Sequence, residues 1–216
     1  MAREHCVRHC TGPPNCVCEI ERNLKLFLIA LGTGALQLLF SWWANSVAVL
    51  SDAMHSSVHG AGYLLMVFTE IAVSRRHTQS EEVVRSRYGI WSFVIIVIAA
   101  CFIFYEAWDR LITPESINLR HMLVGGFLGL AGNGWQLWIC RGIEVRNQTR
   151  LYRWLELWSD FIGSLLIVFV GVPIIYLYHW PNIDALISFA IGLWMLSIGI
   201  YILFTQTIKG LSRHSH

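Results

Sequence analysis

The sequence predicts an all-α polytopic membrane protein, a six-helix transmembrane bundle, and composition and hydropathy both support this fold class. Of 216 residues, 55% are apolar and only 14% are charged, whereas soluble domains carry roughly 25% charged residues. A hydrocarbon core about 30 Å thick requires about 20 apolar residues per helix, and the chain has room for about six such runs. The net charge of +2 is too balanced for a nucleic-acid-binding protein. A large soluble domain is excluded.

The breaks between apolar runs predict where the helices begin and end. The polar pair Asn45-Ser46 predicts a tight turn between the first two helices. The predicted helices are 24–44, 46–73, 88–112, 118–141, 150–178 and 182–208. This divides the chain into a Cys/His-rich tail over 1–22, a transmembrane domain over 23–209 and a short tail over 210–216.

The basic residues predict the orientation of the bundle. Lys and Arg in short loops remain on the cytoplasmic side of a membrane. If both termini are cytoplasmic, only Arg110 and Arg120 of the 16 basic residues lie outside. The inside set is Arg3, Arg8, Arg22, Lys25, Arg75, Arg76, Arg85, Arg87, Arg141, Arg146, Arg150, Arg153, Lys209 and Arg213. The first 22 residues are too polar to form a signal peptide, so we expect them to stay on the chain.

Two predicted helices each carry a pair of ionisable residues four positions apart. Helix two has His55 and His59, and helix five has Glu156 and Asp160; this spacing places each pair on one helical face. A single intramembrane His is more often a hydrogen-bonded packing residue, but ionisable residues inside a membrane usually mark a functional site. Two imidazoles and two carboxylates suit a tetrahedral divalent metal, zinc before cobalt or cadmium. The two pairs therefore predict a metal or proton site.

Other polar residues have interpretations that do not require metal binding. Asp52 either supports the metal site from outside the ligand set or stabilises the start of helix two. Gln37, Asn133 and Gln136 are expected to hydrogen-bond between helices. Asp184, near the start of helix six, is expected to cap that helix.

Two further groups of residues have structural interpretations. Arg110 is expected to pair with Glu106 or Asp109 at the outer end of helix three, unless all three are simply solvated. Cys101 and Cys140 fall within predicted helices and are expected to be packing residues.

The segment Asn45-Ser46-Val-Ala-Val-Leu-Ser-Asp52-Ala-Met-His55-Ser-Ser-Val-His59 resembles the cation diffusion facilitator family. The second helix of that family carries the pattern Ser-x-x-Ala-Leu-x-x-Asp-Ala-x-His-x-x-x-Asp. The resemblance implies a zinc-transporter-like protein that exports divalent metal from the cytoplasm in exchange for protons, as a homodimer with alternating access. It covers all six predicted helices, through Tyr88-Gly89, Glu106-Ala-Trp-Asp-Arg110, Asn133, Asp160-x-x-x-Ser164 and Asp184.

The chain departs from the family pattern at the ligand positions. The usual His-x-x-x-Asp reads His55-x-x-x-His59 on helix two and Glu156-x-x-x-Asp160 on helix five. The chain therefore still has two imidazoles and two carboxylates, and the two carboxylate charges neutralise one divalent ion. Zinc stays the leading substrate, and cadmium or another metal is the alternative. Family members commonly carry a cytoplasmic carboxy-terminal domain, and because this chain ends eight residues after Ile208 we expect none here. Dimerisation would then rest on transmembrane contacts.

The amino-terminal tail is rich in soft metal ligands. Cytoplasmic thiols stay reduced and available for metals, but the spacing matches no standard zinc finger. Metal capture and a disordered tail without a specific role both remain open. The candidate residues are His5, Cys6, His9, Cys10, Cys16 and Cys18.

The sequence therefore predicts a secondary transporter of the inner or an organelle membrane, not an enzyme, with no cofactor and with metal ions and protons as partners. Two alternatives differ in class. A membrane metal sensor or chaperone would bind metal without moving it, and a membrane electron carrier would use the histidines to hold haem. No Cys-x-x-Cys-His haem attachment motif is present.

Overall fold

A computed structural model of the chain describes residues 17–75, 81–140 and 148–213, and all regular structure in these ranges is helical. The predicted all-α class is confirmed. A π-helical turn, Ile167–Gly171, lies between the fifth and sixth helices. The helices are α1 (Val17–Ala44), α2 (Val47–Arg75), α3 (Glu81–Ile112), α4 (Leu119–Ile139), α5 (Gln148–Leu166), α6 (Val172–Tyr178) and α7 (Asn182–Arg213).

Three helical segments in the described ranges are long and apolar enough to cross a membrane, judged by length and composition. They are Ile20–Ala44, Leu157–Tyr178 and Asn182–Tyr201. The second of these runs through α5, the π-helical turn and α6, which the sequence predicted as a single helix.

Two helices begin earlier than predicted. α1 starts at Val17 and α3 at Glu81, each seven residues before the start expected from the apolar runs. The prediction followed hydropathy, which falls at the end of an apolar run. Helical backbone hydrogen bonds do not require apolar side chains, so both helices extend into polar sequence.

The turn between α1 and α2 is as tight as predicted. Asn45 has a φ of 53°, in the left-handed region that Asn tolerates better than most residues. The Ser46 N–H donates to the Ser41 carbonyl at 3.1 Å, which closes the end of α1 in a Schellman-type arrangement. The two helices therefore run antiparallel, and α1 packs on α2 along their length.

Pro173 explains the π-helical turn. Proline has no N–H and cannot donate to the carbonyl four residues earlier. Just before it, the Val172 N–H donates to the Ile167 carbonyl, five residues back, so the helix widens locally. α6 then ends at Tyr178, and the next residue, His179, has a φ of 51°.

The bundle places polar side chains inside and large apolar side chains outside. Ile98 and Phe169 are 65% and 62% exposed, whereas Gln37 is fully buried and Asp52 is 2% exposed. In water this distribution would be unfavourable, but a hydrocarbon solvent favours it. The interior polar residues lie where α1, α2, α4 and α5 meet, and the apolar clusters pack around them.

Two expectations about single residues were wrong. Cys101 is exposed on α3 and is not a packing residue inside the bundle, whereas Cys140 is buried. Among the described residues, Arg110 pairs not with a neighbour on its own helix but with Glu115 in the following loop, at 2.9 Å. The same guanidinium donates to Asn45 Oδ1 at 2.8 Å, because the loop after α3 folds back over the α1–α2 turn.

Asp184 caps a helix, but not the helix that the sequence predicted. Its carboxylate accepts hydrogen bonds from the Val47 N–H at 2.7 Å and the Ala48 N–H at 3.2 Å, both in the first turn of α2. The Ser46 hydroxyl also donates to it, at 2.6 Å. The carboxylate therefore satisfies backbone donors of α2 from a position on α7, and joins the two helices at one end of the bundle.

Candidate metal centre

Both imidazoles of the predicted site lie on one face of α2. His55 and His59 are four residues apart, and their ring centroids are 4.5 Å apart. Their side chains are 4% and 10% exposed. The helical repeat thus brings two nitrogen ligands to the same buried position.

Asp160 of α5 meets these imidazoles. Its Oδ1 lies 2.7 Å from His55 Nε2 and 3.3 Å from His59 Nε2, and its side chain is 2% exposed. Among the described residues, His55 Nε2 and Asp160 Oδ1 otherwise have no hydrogen-bond partner. One carboxylate oxygen therefore faces two imidazole nitrogens in a buried space.

The spacing of the three ligand atoms is close to what a metal ion requires. One ligand atom from each residue lies within 4.8 Å of the other two. In a tetrahedral zinc site with bonds of about 2.1 Å, ligand atoms are about 3.4 Å apart. Small movements of the side chains would therefore accommodate an ion. Among the described residues, these three form the one such His, Cys, Asp or Glu group.

The predicted fourth ligand, Glu156, is on α5 one turn before Asp160. Its side chain lies outside the part that the structure describes. The i, i+4 spacing in the sequence predicts that it shares a helical face with Asp160. Its role as a ligand stays a prediction.

Asp52 lies three residues before His55 on α2, and the hydrogen bonds of its carboxylate go to other helices and not to the first turn of α2. Its Oδ2 accepts hydrogen bonds from Gln37 Nε2 at 2.6 Å and from the Ser164 hydroxyl at 2.7 Å. Asn133 Nδ2 in turn donates to the Ser164 hydroxyl at 3.1 Å. The interhelical hydrogen bonds predicted for Gln37 and Asn133 are present. Gln136 is buried, and its Oε1 has no partner among the described residues.

The amino-terminal candidates cannot be placed beside the site. His5, Cys6, His9, Cys10 and Cys16 lie outside the described residues. Cys18 falls within α1, but its side chain is also outside that description. A metal-binding role for the tail remains a prediction.

Known proteins of similar sequence identify the family. A family model described as the cation efflux transmembrane domain matches residues 24–207, most of the chain. The chain belongs to the cation efflux family. The resemblance that the sequence of α2 suggested is therefore confirmed, and members of this family are membrane transporters and not enzymes.

Curated relatives of this cation efflux domain carry names that refer to metals. It is 29% identical over 186 residues to the metal cation efflux system protein CzcD of Cupriavidus metallidurans, covering 82% of this chain and 57% of that protein. It is 24% identical over 179 residues to the cadmium, cobalt and zinc/H(+)-K(+) antiporter of Bacillus subtilis, covering 80% and 57%. It is 24% identical over 186 residues to the zinc transporter ZitB of Escherichia coli, covering 82% and 59%. The chain thus spans a little over half the length of these relatives.

Proposed function

We propose that this cation efflux chain exports divalent metal ions from the cytoplasm, zinc foremost, in exchange for protons. The observation that supports this most strongly is the buried convergence of His55, His59 and Asp160, whose ligand atoms lie within 4.8 Å of one another. Glu156 is proposed as the fourth ligand. Together they would supply two neutral nitrogens and two anionic oxygens to a divalent ion.

Proton coupling follows from the chemistry of these ligands. Imidazole and carboxylate must be deprotonated to bind metal well, so metal binding releases protons and protons compete with metal. Metal would enter from the cytoplasm at neutral pH. Protons arriving from the other side would displace it and reset the site.

The proposed architecture has six transmembrane segments with both termini in the cytoplasm. It is supported by the placement of basic residues, with only Arg110 and Arg120 assigned to the outer side. We further propose a homodimer held by transmembrane contacts, in the inner membrane of a bacterial cell. Bacterial relatives such as CzcD and ZitB support that location.

Zinc is proposed ahead of cadmium and cobalt. The names of the Bacillus subtilis and Escherichia coli relatives include zinc, and the former also includes cadmium and cobalt. A mixed set of nitrogen and oxygen ligands suits zinc in a tetrahedral geometry.

Flux into proteoliposomes under an imposed pH gradient tests the proposal. Zinc, cadmium and cobalt would be assayed one at a time with an entrapped metal-sensitive dye, while a pH dye follows protons in the opposite direction. Asp160→Asn keeps the shape of the side chain but removes its charge, and should lower zinc flux more than tenfold, because mutation of the outer hydrogen-bonding partners of metal ligands already costs 10–100-fold.

Asp109→Asn is the matched control, because it makes the same substitution at an exposed residue of α3. It should leave flux unchanged. Metal binding without flux in the wild type would instead identify a sensor or chaperone, and a Soret band in the purified protein would identify a haem protein.

A further inference from the structure

Two interhelical contacts join α2 and α5 in adjacent helical turns. One is the metal centre itself, where His55 and His59 meet Asp160. The other lies one turn away, where Asp52 meets Ser164. Asp52 is three residues before His55, and Ser164 is four residues after Asp160. The two contacts therefore lie about 5 Å apart along each helix.

The second contact is part of a network that reaches four helices. Asp52 Oδ2 receives hydrogen bonds from Gln37 of α1 and Ser164 of α5, and Ser164 receives one from Asn133 of α4. All four side chains are at most 2% exposed. We call Gln37, Asp52, Asn133 and Ser164 the bridging network. In a buried, membrane-embedded position, such hydrogen bonds have no water to replace them.

The backbone of α4 is packed tightly against this network. A Cβ atom at Gly129 would lie 2.5 Å from Asp52 Oδ2 and 2.6 Å from Ser164 Oγ, and it would also overlap Gln37 Nε2. Side-chain atoms cannot approach so closely, so only glycine fits without displacing the network. The hydrogen-bonded groups are therefore confined on the α4 side as well as bonded to one another.

We infer that the bridging network is a positioning device that sets the separation of α2 and α5 at the metal centre, and thereby selects between metal ions of different size. This inference rests on the proposed metal site. None of the four residues is proposed to bind the ion. Sites with similar ligands discriminate between metals mainly by geometry, and partners that orient ligands change affinity by 10–100-fold when mutated. A looser spacing should accept the larger cadmium ion at the expense of zinc.

The test is the ratio of zinc to cadmium affinity in the purified full chain, measured by calorimetry in detergent. Ser164→Ala removes the Asp52–Ser164 contact between α2 and α5 and leaves every proposed ligand in place. We expect the preference for zinc over cadmium to fall by about tenfold. Ser164→Thr keeps the hydroxyl and should restore most of the wild-type ratio.

Ser188→Ala is the matched control. Ser188 is also fully buried, but its hydroxyl donates within its own helix, to the Asp184 carbonyl at 2.9 Å. Its ratio should equal that of the wild type. If Ser164→Ala does not fold, Asn133→Ala provides the same test, because it removes the donor that orients the Ser164 hydroxyl.

The outcomes separate this inference from the proposed function. A Ser164→Ala protein that keeps the wild-type ratio, or weakens both metals equally, would overturn the positioning role even if transport is intact. A shifted ratio in a protein that does not transport would support positioning and overturn export. Failure of the wild type to bind either metal would overturn both.

Discussion

Single residues determine the charge and ligand balance of the proposed metal centre. The family pattern distributes one His and one Asp to each of two helices, whereas this chain has two His on α2 and two acidic residues on α5. Because all four positions face one site in the proposal, the sum of ligands matters more than which helix supplies each. The exchange between helices can therefore be reversed experimentally.

The first prediction reverses the ligand exchange. His59→Asp alone leaves one imidazole and three carboxylates, and Glu156→His alone leaves three imidazoles and one carboxylate. Each should impair zinc flux and binding, because the charge of the site no longer matches a divalent ion. The double variant restores two imidazoles and two carboxylates, and its zinc flux and binding should recover. The coupling energy between the two substitutions should be about 0.5–3 kcal/mol.

Flux and binding of the wild type, both single variants and the double variant would be compared in proteoliposomes after equal folding is verified. Losses that simply add in the double variant would mean that His59 and Glu156 do not share an ion. Glu156 would then leave the proposed ligand set.

The second prediction concerns Glu115, outside the membrane-spanning segments. The hydrogen bond from Asn45 and the nearby Arg110 charge lower the pKa of its carboxyl below the ordinary 4.5. A depressed folded-state pKa stabilises the fold above the ordinary pKa, and this contribution is lost as pH falls through the folded-state value. The effect should be small, since the Glu115 side chain is 59% exposed and solvent screens its interactions.

Thermal unfolding in detergent between pH 7 and pH 3 measures this effect. The wild type should melt above Glu115→Gln at neutral pH, and the difference should shrink below pH 4.5. Asn45→Gly, which tolerates the φ of 53° at that position, should reduce the difference. If the difference in melting temperature between the wild type and Glu115→Gln does not change with pH, the ionised carboxylate is not the cause of that difference.

At the scale of secondary-structure elements, the start of α2 depends on α7. Ser46 accepts a hydrogen bond from the Val49 N–H at 3.2 Å, as an N-cap residue does. Asp184 of α7 accepts from the two N–H groups of Val47 and Ala48. The helix that carries both proposed imidazole ligands is therefore anchored by a residue far away in the sequence.

The third prediction removes this anchor. Asp184→Ala leaves two buried N–H groups without an acceptor, at a cost of about 1–3 kcal/mol each, so the free energy of unfolding should fall by about 2–6 kcal/mol. Asp184→Asn keeps one acceptor oxygen and should lose roughly half as much. Unfolding in detergent measures both, with Asp109→Ala as an exposed control. Equal stability of Asp184→Ala and the control would refute the capping role.

At the scale of the whole molecule, hydropathy and the placement of charge determine the environment and the orientation of the bundle. Large apolar side chains such as Ile98 and Phe169 cover the outside of the helices, and basic residues concentrate in alternate connections and in the helical turns beside them. A bundle with this surface requires a hydrocarbon environment, and its basic loops favour one orientation in it.

The fourth prediction tests that orientation with a matched pair of serine-to-cysteine changes in a background that lacks the native cysteines. Ser116→Cys, between α3 and α4, should react with a membrane-impermeant maleimide on intact cells. Ser80→Cys, between α2 and α3, should react only after permeabilisation. Labelling of Ser80→Cys from outside, with Ser116→Cys protected, would invert the proposed topology.

The sequence by itself determined the helices and the faces that they present. Apolar runs and turn residues such as Asn45 act within a few positions, so their consequences can be read locally. The i, i+4 spacing of His55 and His59 follows from the helical repeat alone. The starts of α1 and α3 were misplaced because hydropathy marks the hydrocarbon boundary and not the limit of helical hydrogen bonding.

Only the tertiary structure decided which partner each polar residue has. Asp184 accepts hydrogen bonds from backbone N–H groups of α2 and does not cap its own helix. Arg110 pairs with Glu115 and not with the acidic residues of its own helix. Asp52 accepts hydrogen bonds from Ser164 and Gln37. A carboxylate is an equally good acceptor for many donors, so its chemistry does not specify its partner. Packing decides, because close approach at residues such as Gly129 brings particular helices near enough for one set of hydrogen bonds to form.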